Sequence, residues 1–321
     1  MKILIILFIT LISIYTSNGQ NIININSLSK SSSKNIKNVN DFNDAKRARE
    51  LVLNEKVQTN REVYVNDTIL LDLFNNKQYK AYVDKIDVDV NGTLSIRARI
   101  IGYEFAYCFI TTFNGKSFIT IDIPGNEEYY SSRYDPNTNT YYLLEMDNTK
   151  MKSLAGSEPL VPPTVNQDNI NKSNNSNVLN NPTTSNGEND LVTITVMVVY
   201  TPAAAAWSIA NETNINNTIS TFMQKANLVH DNSNTLVKLQ LVHSQQVNYT
   251  ELDNVNDLYN LTNTNDGYMD NVHSLRDNYA ADLVVFLEVA SYTGGQAWLL
   301  GTPDGSPSYG FSLNRVQQAS R

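Results

Sequence analysis

Between Ser153 and Asp190 the chain reads SLAGSEPLVPPTVNQDNINKSNNSNVLNNPTTSNGEND, where every periodic apolar signal stops and proline, serine and asparagine take over. No compact layer can be built from such a stretch, because it has too little to bury against the entropy of ordering it. The chain must therefore fold as two parts joined by a linker over residues 153–190, an exposed connection of the kind that proteases nick. A length of 321 residues suits two ordinary domains.

Ahead of the linker, residues 62–152 hold a succession of short segments rich in Val, Ile, Tyr, Phe and Thr: REVYVNDTILLDLF, QYKAYVDKIDVDV, GTLSIRARIIGYEFAYCFITTF, GKSFITIDIP and TYYLLEMD. Asn-Gly, Asn-Asp and Pro-Gly pairs separate them, so the region reads as β-hairpins. A run of hairpins must close on itself or pack a face on something else, since one alone is marginal in water. Residues 20–61 are Asn/Ser/Lys-rich over much of their length and read as poorly ordered. The opening MKILIILFITLISIYTSNGQ has one lysine, an apolar run from Ile3 to Tyr15, and small residues at Ser17 and Gly19. It reads as a signal peptide over residues 1–19, cut between Gly19 and Gln20, which places the protein in a secreted or extracytoplasmic compartment. The apolar run is shorter than the roughly 20 residues that span a bilayer, so no membrane attachment is expected once it is removed.

After the linker the texture changes to alternating strands and helices over residues 191–321. LVTITVMVVY is apolar on nearly every residue, as a strand covered on both faces would be. Pro202 and the alanines open a helical stretch in which Ile215, Ile219, Phe222, Ala226 and Val229 recur at helical spacing. TLVKLQLVHSQQV is a second strand with Val237, Leu239 and Leu241 on one face and His243 continuing it. DLVVFLEVA is a third, and TGGQAWLLGTPDGSPSYGFSL an edge strand, a loop and a further strand. The order β-α-β-α-β implies an α/β layer with two main helices against a largely parallel, twisted mixed sheet.

Charge and cysteine content exclude several classes. A net charge of −8 with no basic stripe disfavours nucleic acid and polybasic membrane anchoring. A single cysteine, Cys108, allows no internal disulfide; it lies in the alternating FAYCFITTF and reads as a buried small hydrophobe. The second half holds 5 Lys+Arg against 11 Asp+Glu and the segment 21–190 holds 18 against 21, an asymmetry that favours docking of the two halves.

Candidate chemistry centres on DGYMDNVHSLRDNYAADLVVFLEVA, where Asp270, His273 and Asp277 lie at spacings of three and four on one helical stripe. The neighbouring stripe of Met269, Val272, Leu275 and Tyr279 packs on the sheet, Asp266 suits the N-cap, and Arg276 can pair with an acid of its own face. Each polar residue has a structural use, so the motif reads as positioning a helix. His230, His243 and His273 are 13 and 30 residues apart on different elements, which argues against a zinc triad. No G-x-S-x-G, P-loop, G-x-G-x-x-G or C-x-x-C is present. No catalytic or metal-binding residue is assigned.

The ordered series VMVVYTPAAAAW, ANLVHDNSN, LQLVHSQQVNYTE, DGYMDNVHSLRDNYAADLVVFL and GGQAWL resembles the front half of the catalytic domain of secreted reprolysin-like metzincin proteases, closest to the bacterial peptidyl-Asp metalloendopeptidase group. The resemblance covers about residues 191–316 and implies a metzincin-like N-subdomain preceded by a β-rich pro-region docked on it. It also implies zinc in the complete protein, an extended polypeptide substrate, and an edge strand of Gly295, Gln296, Ala297 and Trp298 along which that substrate adds by backbone pairing. The family holds its zinc with H-E-x-x-H-x-x-G-x-x-H/D. That motif is absent up to Arg321, so the catalytic domain is expected to be incomplete and this chain inactive and without zinc. Residues 191–321 alone are then expected to associate through the sheet face left bare. A cysteine common in the family beside GGQAWL is replaced here by the run Tyr292-Thr293-Gly294.

Two other readings compete. A non-catalytic secreted binding protein could retain the fold without the site, and the downstream reading frame separates it from a protease precursor. A β-rich adhesin leaves the helical second half unexplained.

Overall fold

In a computed structural model of the protein, the structure describes residues 24–25, 28, 42, 44–59, 63–74, 77–150, 154–162, 190–299 and 306–319. The signal segment 1–19, its cleavage point at Gly19 and Gln20, and linker residues 163–189 lie outside the described residues.

The first half is one nine-stranded sheet built from β1 (Asn24–Ile25), β2 (Ala45–Leu51), β3 (Thr68–Phe74), β4 (Lys77–Val88), β5 (Leu94–Ile100), β6 (Tyr107–Phe113), β7 (Lys116–Ile123), β8 (Glu128–Asp135) and β9 (Thr140–Met146). From β3 to β9 it is a plain antiparallel meander, with β2 returning beside β9 and β1 lying parallel on β3. Its period-2 pattern sends Ile96, Ala98 and Ile100, with Cys108, Ile110, Ile119 and Ile121, into one core. The Asn114-Gly115 pair, with φ of 48° and 71°, supplies the two left-handed residues that a tight β6–β7 hairpin demands.

The sheet curls until its ends meet. Arg49 on β2 is buried and donates to the backbone carbonyls of Leu73 and Asp72 on β3, while the Arg47 guanidinium sits 4.1 Å above the Phe74 ring. Those guanidinium donors occupy carbonyls near the end of β3, so the sheet is closed there without a further strand. Helix α1 (Glu55–Thr59) plugs the region with Val57. The composition of residues 20–61 pointed to disorder; residues 45–59 are instead ordered, because β2 pairs with β9 and buries Ala45 and Ala48 in one core and Leu51 in another, which outweighs the polar neighbours.

The second half is a five-stranded sheet in the order β11-β10-β12-β14-β13, from β10 (Val192–Tyr200), β11 (Val237–Gln246), β12 (Leu283–Glu288), β13 (Gly295–Ala297) and β14 (Phe311–Arg315). Four strands run parallel and β13 is antiparallel on the edge, the mixed α/β sheet expected from the sequence. β10 is apolar from Val196 to Val199 because Met197 and Val199 enter one core while Val196 and Val198 enter the other. Helices α4 (Asn256–Thr262) and α5 (Asn271–Asn278) cover the first face; α2 (Pro202–Glu212), α3 (Ile215–Asn232) and α6 (Val316–Ala319) cover the second.

Three local expectations need correction. The helical stretch after Pro202 is two helices rather than one, broken where Thr213 takes φ of 84° and Asn214 caps α3 by accepting from Asn217 N at 2.9 Å. Val229, placed on its apolar stripe, is 63% exposed. In β11 a bulge at Val242 ends the Leu239/Leu241 face, so His243 stacks on Tyr279 at 3.9 Å rather than continuing inward with the leucines.

The two halves meet along α3. Ile215, Ile219 and Met223 face the helix's own sheet, while Asn217, Ser220 and Thr221 are buried against β5–β7. Ser95 and Ser220 hydroxyls lie 2.6 Å apart, Thr111 and Thr221 hydroxyls 3.2 Å, and Asn217 Nδ2 donates to Lys116 O at 3.0 Å. Lys225 pairs with Asp122 at 2.7 Å, and Arg97 spans Asp84 of β4 at 3.0 Å and Asp231 of α3 at 2.6 Å. The seam is thus hydroxyl- and amide-rich.

Candidate functional site

β13 is antiparallel to β14 in the register Gly295 to Asn314, Gln296 to Leu313 and Ala297 to Ser312, which leaves its outer edge open for a further strand. Residues 154–162 occupy that edge. Gly294 N donates to Ala155 O at 2.8 Å, Ser157 N to Gly295 O at 3.0 Å, Leu160 N to Ala297 O at 3.0 Å, and Leu299 N to Leu160 O at 2.7 Å. Leu160 and Trp298 bridge in parallel register. The stretch read from composition as the start of a featureless linker is therefore an added strap, held mainly through backbone groups that leave no trace in residue type.

Side chains fix the strap at both ends. Gln318 accepts from Leu154 N at 2.8 Å and donates to Leu154 O at 3.1 Å; Gln296 Nε2 donates to Glu158 O at 3.0 Å. Thr293, fully buried, accepts from Ser157 N at 3.0 Å. At Gly294 the strap passes so close that a Cβ would stand 2.2 Å from Leu154 O, so the glycine is needed for the approach. Trp298 lies just past β13; its ring packs edge-on to Tyr259 and Tyr309 and its Nε1 donates to Thr262 at 2.8 Å. All four residues of the sequence-read edge, Gly295, Gln296, Ala297 and Trp298, thus line one side of the strap.

The aspartate–histidine helix has no such position. α5 starts at Asn271, not at Gly267, because Gly267 and Met269 take φ of 87° and 49°. Asp266 does not cap it: Asp266 Oδ1 accepts from Tyr268 N at 2.9 Å, and Asp270 gathers Asp266 N at 3.2 Å and Gly267 N at 3.1 Å. His273 bonds Asn263 O at 2.9 Å through Nε2. Arg276 was expected to pair with an acid; it donates instead to the carbonyls of Ala281, Asp282 and Pro307 at 3.1, 2.6 and 2.7 Å, and burial lowers its pKa. Asp270 and Asp277 are exposed. The motif shapes a loop rather than a reaction centre.

The described residues do not fit a zinc ion. His230 Nδ1 is 2.8 Å from the Thr235 hydroxyl, His243 lies flat on Tyr279, and His273 is turned to Asn263. Among the described residues no three His, Cys, Asp or Glu side chains gather as a cation would need. Cys108 is buried, and burial pushes its thiol pKa up.

One group escaped the sequence reading. Glu288, the last residue of β12, is fully buried, and its carboxyl pKa is pushed up to about 9, first by burial and then by Asp257, Glu251 and Asp253. The signal was there: the alternation of Val284, Phe286 and Glu288 puts a carboxylate on a core face.

Residues 216–321 match the metallo-peptidase family M12B, reprolysin-like. The chain is 39% identical over 104 residues to a peptidyl-Asp metalloendopeptidase of Stenotrophomonas maltophilia and 38% identical over 104 residues to one of Xanthomonas campestris pv. campestris. Each match covers 32% of this chain and 24% of the relative, so the chain matches about a quarter of the length of these relatives. Among solved structures, metalloproteinase-II from Bacteroides fragilis aligns with a TM-score of 0.48 and 10% identity, over 86% of this chain and 81% of that one. Among the described residues no helix is long and apolar enough to cross a membrane.

Proposed function

We propose that this protein serves as a secreted zinc metalloendopeptidase precursor, in which β13 is the edge that takes an extended polypeptide, a reading supported by the match of residues 216–321 to the reprolysin-like family and by the mixed α/β sheet. The observation that carries this reading is the strap on β13: an edge that already accepts one extended segment through its backbone offers the same donors and acceptors to another. Gly295 and Ala297 supply carbonyls, Gln296 reaches a backbone carbonyl of the added strand, and the buried Trp298 anchors the edge to the core.

In this reading residues 62–152 are the pro-region, docked through α3, and the strap 154–162 covers the edge until the linker is cut. The hydroxyl-rich seam supports such a role, since polar surfaces that separate can be rehydrated at small cost. H-E-x-x-H does not occur in residues 1–321, so this chain by itself is expected to hold no catalytic zinc and to show no hydrolysis.

Purified residues 20–321 are expected to show no chelator-sensitive hydrolysis of a peptide library and no stoichiometric zinc. The same chain continued through its downstream reading frame is expected to gain both. Zinc-dependent turnover by residues 20–321 would overturn the proposed inactivity, and an in-frame stop directly after Arg321 would favour a non-catalytic binding protein instead.

A further inference from the structure

Neither carboxylate oxygen of Glu288 meets a hydrogen-bond donor, although the residue is fully buried. The polar groups nearby are committed elsewhere, apart from the Tyr292 hydroxyl. Asp257 of α4, also fully buried, receives the Tyr249 hydroxyl at 2.6 Å, Leu252 N at 2.9 Å and Asn254 N at 3.2 Å. Glu251 receives the Thr201 hydroxyl and Val289 N at 3.0 Å; Asp253, at the rim, receives Ser291 N at 2.7 Å and the Ser291 hydroxyl. Tyr292 brings a buried hydroxyl that likewise has no partner. From β14, Arg315 directs Nε to Ala290 O and Nη1 to Gln318. The charges acting on Glu288 are those of Asp257, Glu251 and Asp253, all of its own sign.

An ionised carboxylate with no donor, buried beside three more acids, is unfavourable by several kcal/mol, and such a group neutralises itself by keeping a proton. Asp257 already accepts hydrogen bonds from three residues, Tyr249, Leu252 and Asn254. Two carboxyl groups facing each other form a hydrogen bond only when one of them carries that proton.

We propose that Glu288 and Asp257 form a buried acid pair holding one proton between them, a latch that ties the 251–257 loop to the end of β12 and weakens as the proton is lost at alkaline pH. The chain leaving β12 runs through residues 289–294 to β13, so the latch secures the base of the edge strand, including Thr293 and Gly294, which hold the strap. It stands on this geometry whether or not β13 takes a substrate.

The test is made on the intact chain with carbon-13 labelled glutamate carboxyl groups, followed through a pH titration together with amide exchange of residues 289–294. One glutamate signal should remain protonated at pH 7, titrate near pH 9, vanish in Glu288→Gln and move to lower pH in Asp257→Asn. Protection of residues 289–294 should fall roughly tenfold per pH unit on the approach to pH 9 and level off above it, a dependence that Glu288→Gln removes. Absence of a neutral glutamate carboxyl at pH 7 overturns the proposal. So does calcium or magnesium raising the melting temperature of the unsubstituted chain but not of Glu288→Gln, since a cation would then hold the pair.

Discussion

Replacing Gly294 by alanine drives a methyl group into the strap. The new Cβ would lie 2.2 Å from Leu154 O and 3.1 Å from Leu154 C, so the strap backbone has to retreat by about 1 Å to reach ordinary contact. That retreat pulls on the bond from Gly294 N to Ala155 O at 2.8 Å and on the pair between Leu154 and Gln318 at 2.8 and 3.1 Å. With a net worth near 1 kcal/mol for each bond in a partly solvated setting, losing two of them weakens strap closure by about 2 kcal/mol, roughly thirty-fold in the open population. Amide exchange at Leu299 and Ser157 and limited proteolysis within 154–162 both read that population. Gly125→Ala, where a Cβ meets nothing within 4 Å, is the control and should leave both unchanged. If Gly294→Ala leaves strap protection at the unsubstituted level, the strap is not held against β13 by these contacts and the edge-strand reading loses its support.

Removing the Arg97 guanidinium with Arg97→Met strips Asp84 and Asp231 of a shared partner at the seam; with Arg97 8% and Asp84 16% exposed but Asp231 48% exposed, urea unfolding should show a loss of about 2 kcal/mol. Cys108 should resist iodoacetamide in the native protein and react fully only after denaturation, since it is buried and its thiol pKa is raised. Glu288 has a folded pKa of about 9 against an ordinary 4.5, so the folded state binds the extra proton between those values and stability falls as pH rises through that window. At pH 7 the gap from 4.5 amounts to about 3 kcal/mol, and Glu288→Gln should recover a gain of that order in chemical denaturation. Trp298→Phe removes the Nε1 donation to Thr262 at 2.8 Å and should lower the melting temperature through a loss of about 1 kcal/mol.

Where side chains announce burial, the elements were legible in advance. The apolar β10 told of a sheet covered on both faces, and the alternation in β5, β6 and β7 told of a core on one side of a meander. Gly295, Gln296, Ala297 and Trp298 were named as an edge through the family resemblance of the surrounding segments, not from their own residue types. The strap 154–162 gave no such signal: its bonds to β13 run mainly between backbone groups, which every residue carries. The buried face of α3 was hidden for another reason. Asn217, Ser220 and Thr221 read as solvent-facing until Lys116 O, Ser95 and Thr111 are placed opposite them.

By itself the sequence determined the division into a β-rich part and an α/β part, the apolar faces of their strands and the family resemblance of the second. Those properties live in local periodicity and residue type. Only the tertiary structure decided which segment lies along the edge of β13, that polar helix positions of α3 are buried at a seam, and that the Glu288 carboxylate is fully buried at the end of β12 with neither oxygen meeting a donor. Each depends on partners distant in sequence, and hydrogen-bond satisfaction and a buried proton are properties of such pairs rather than of any residue alone.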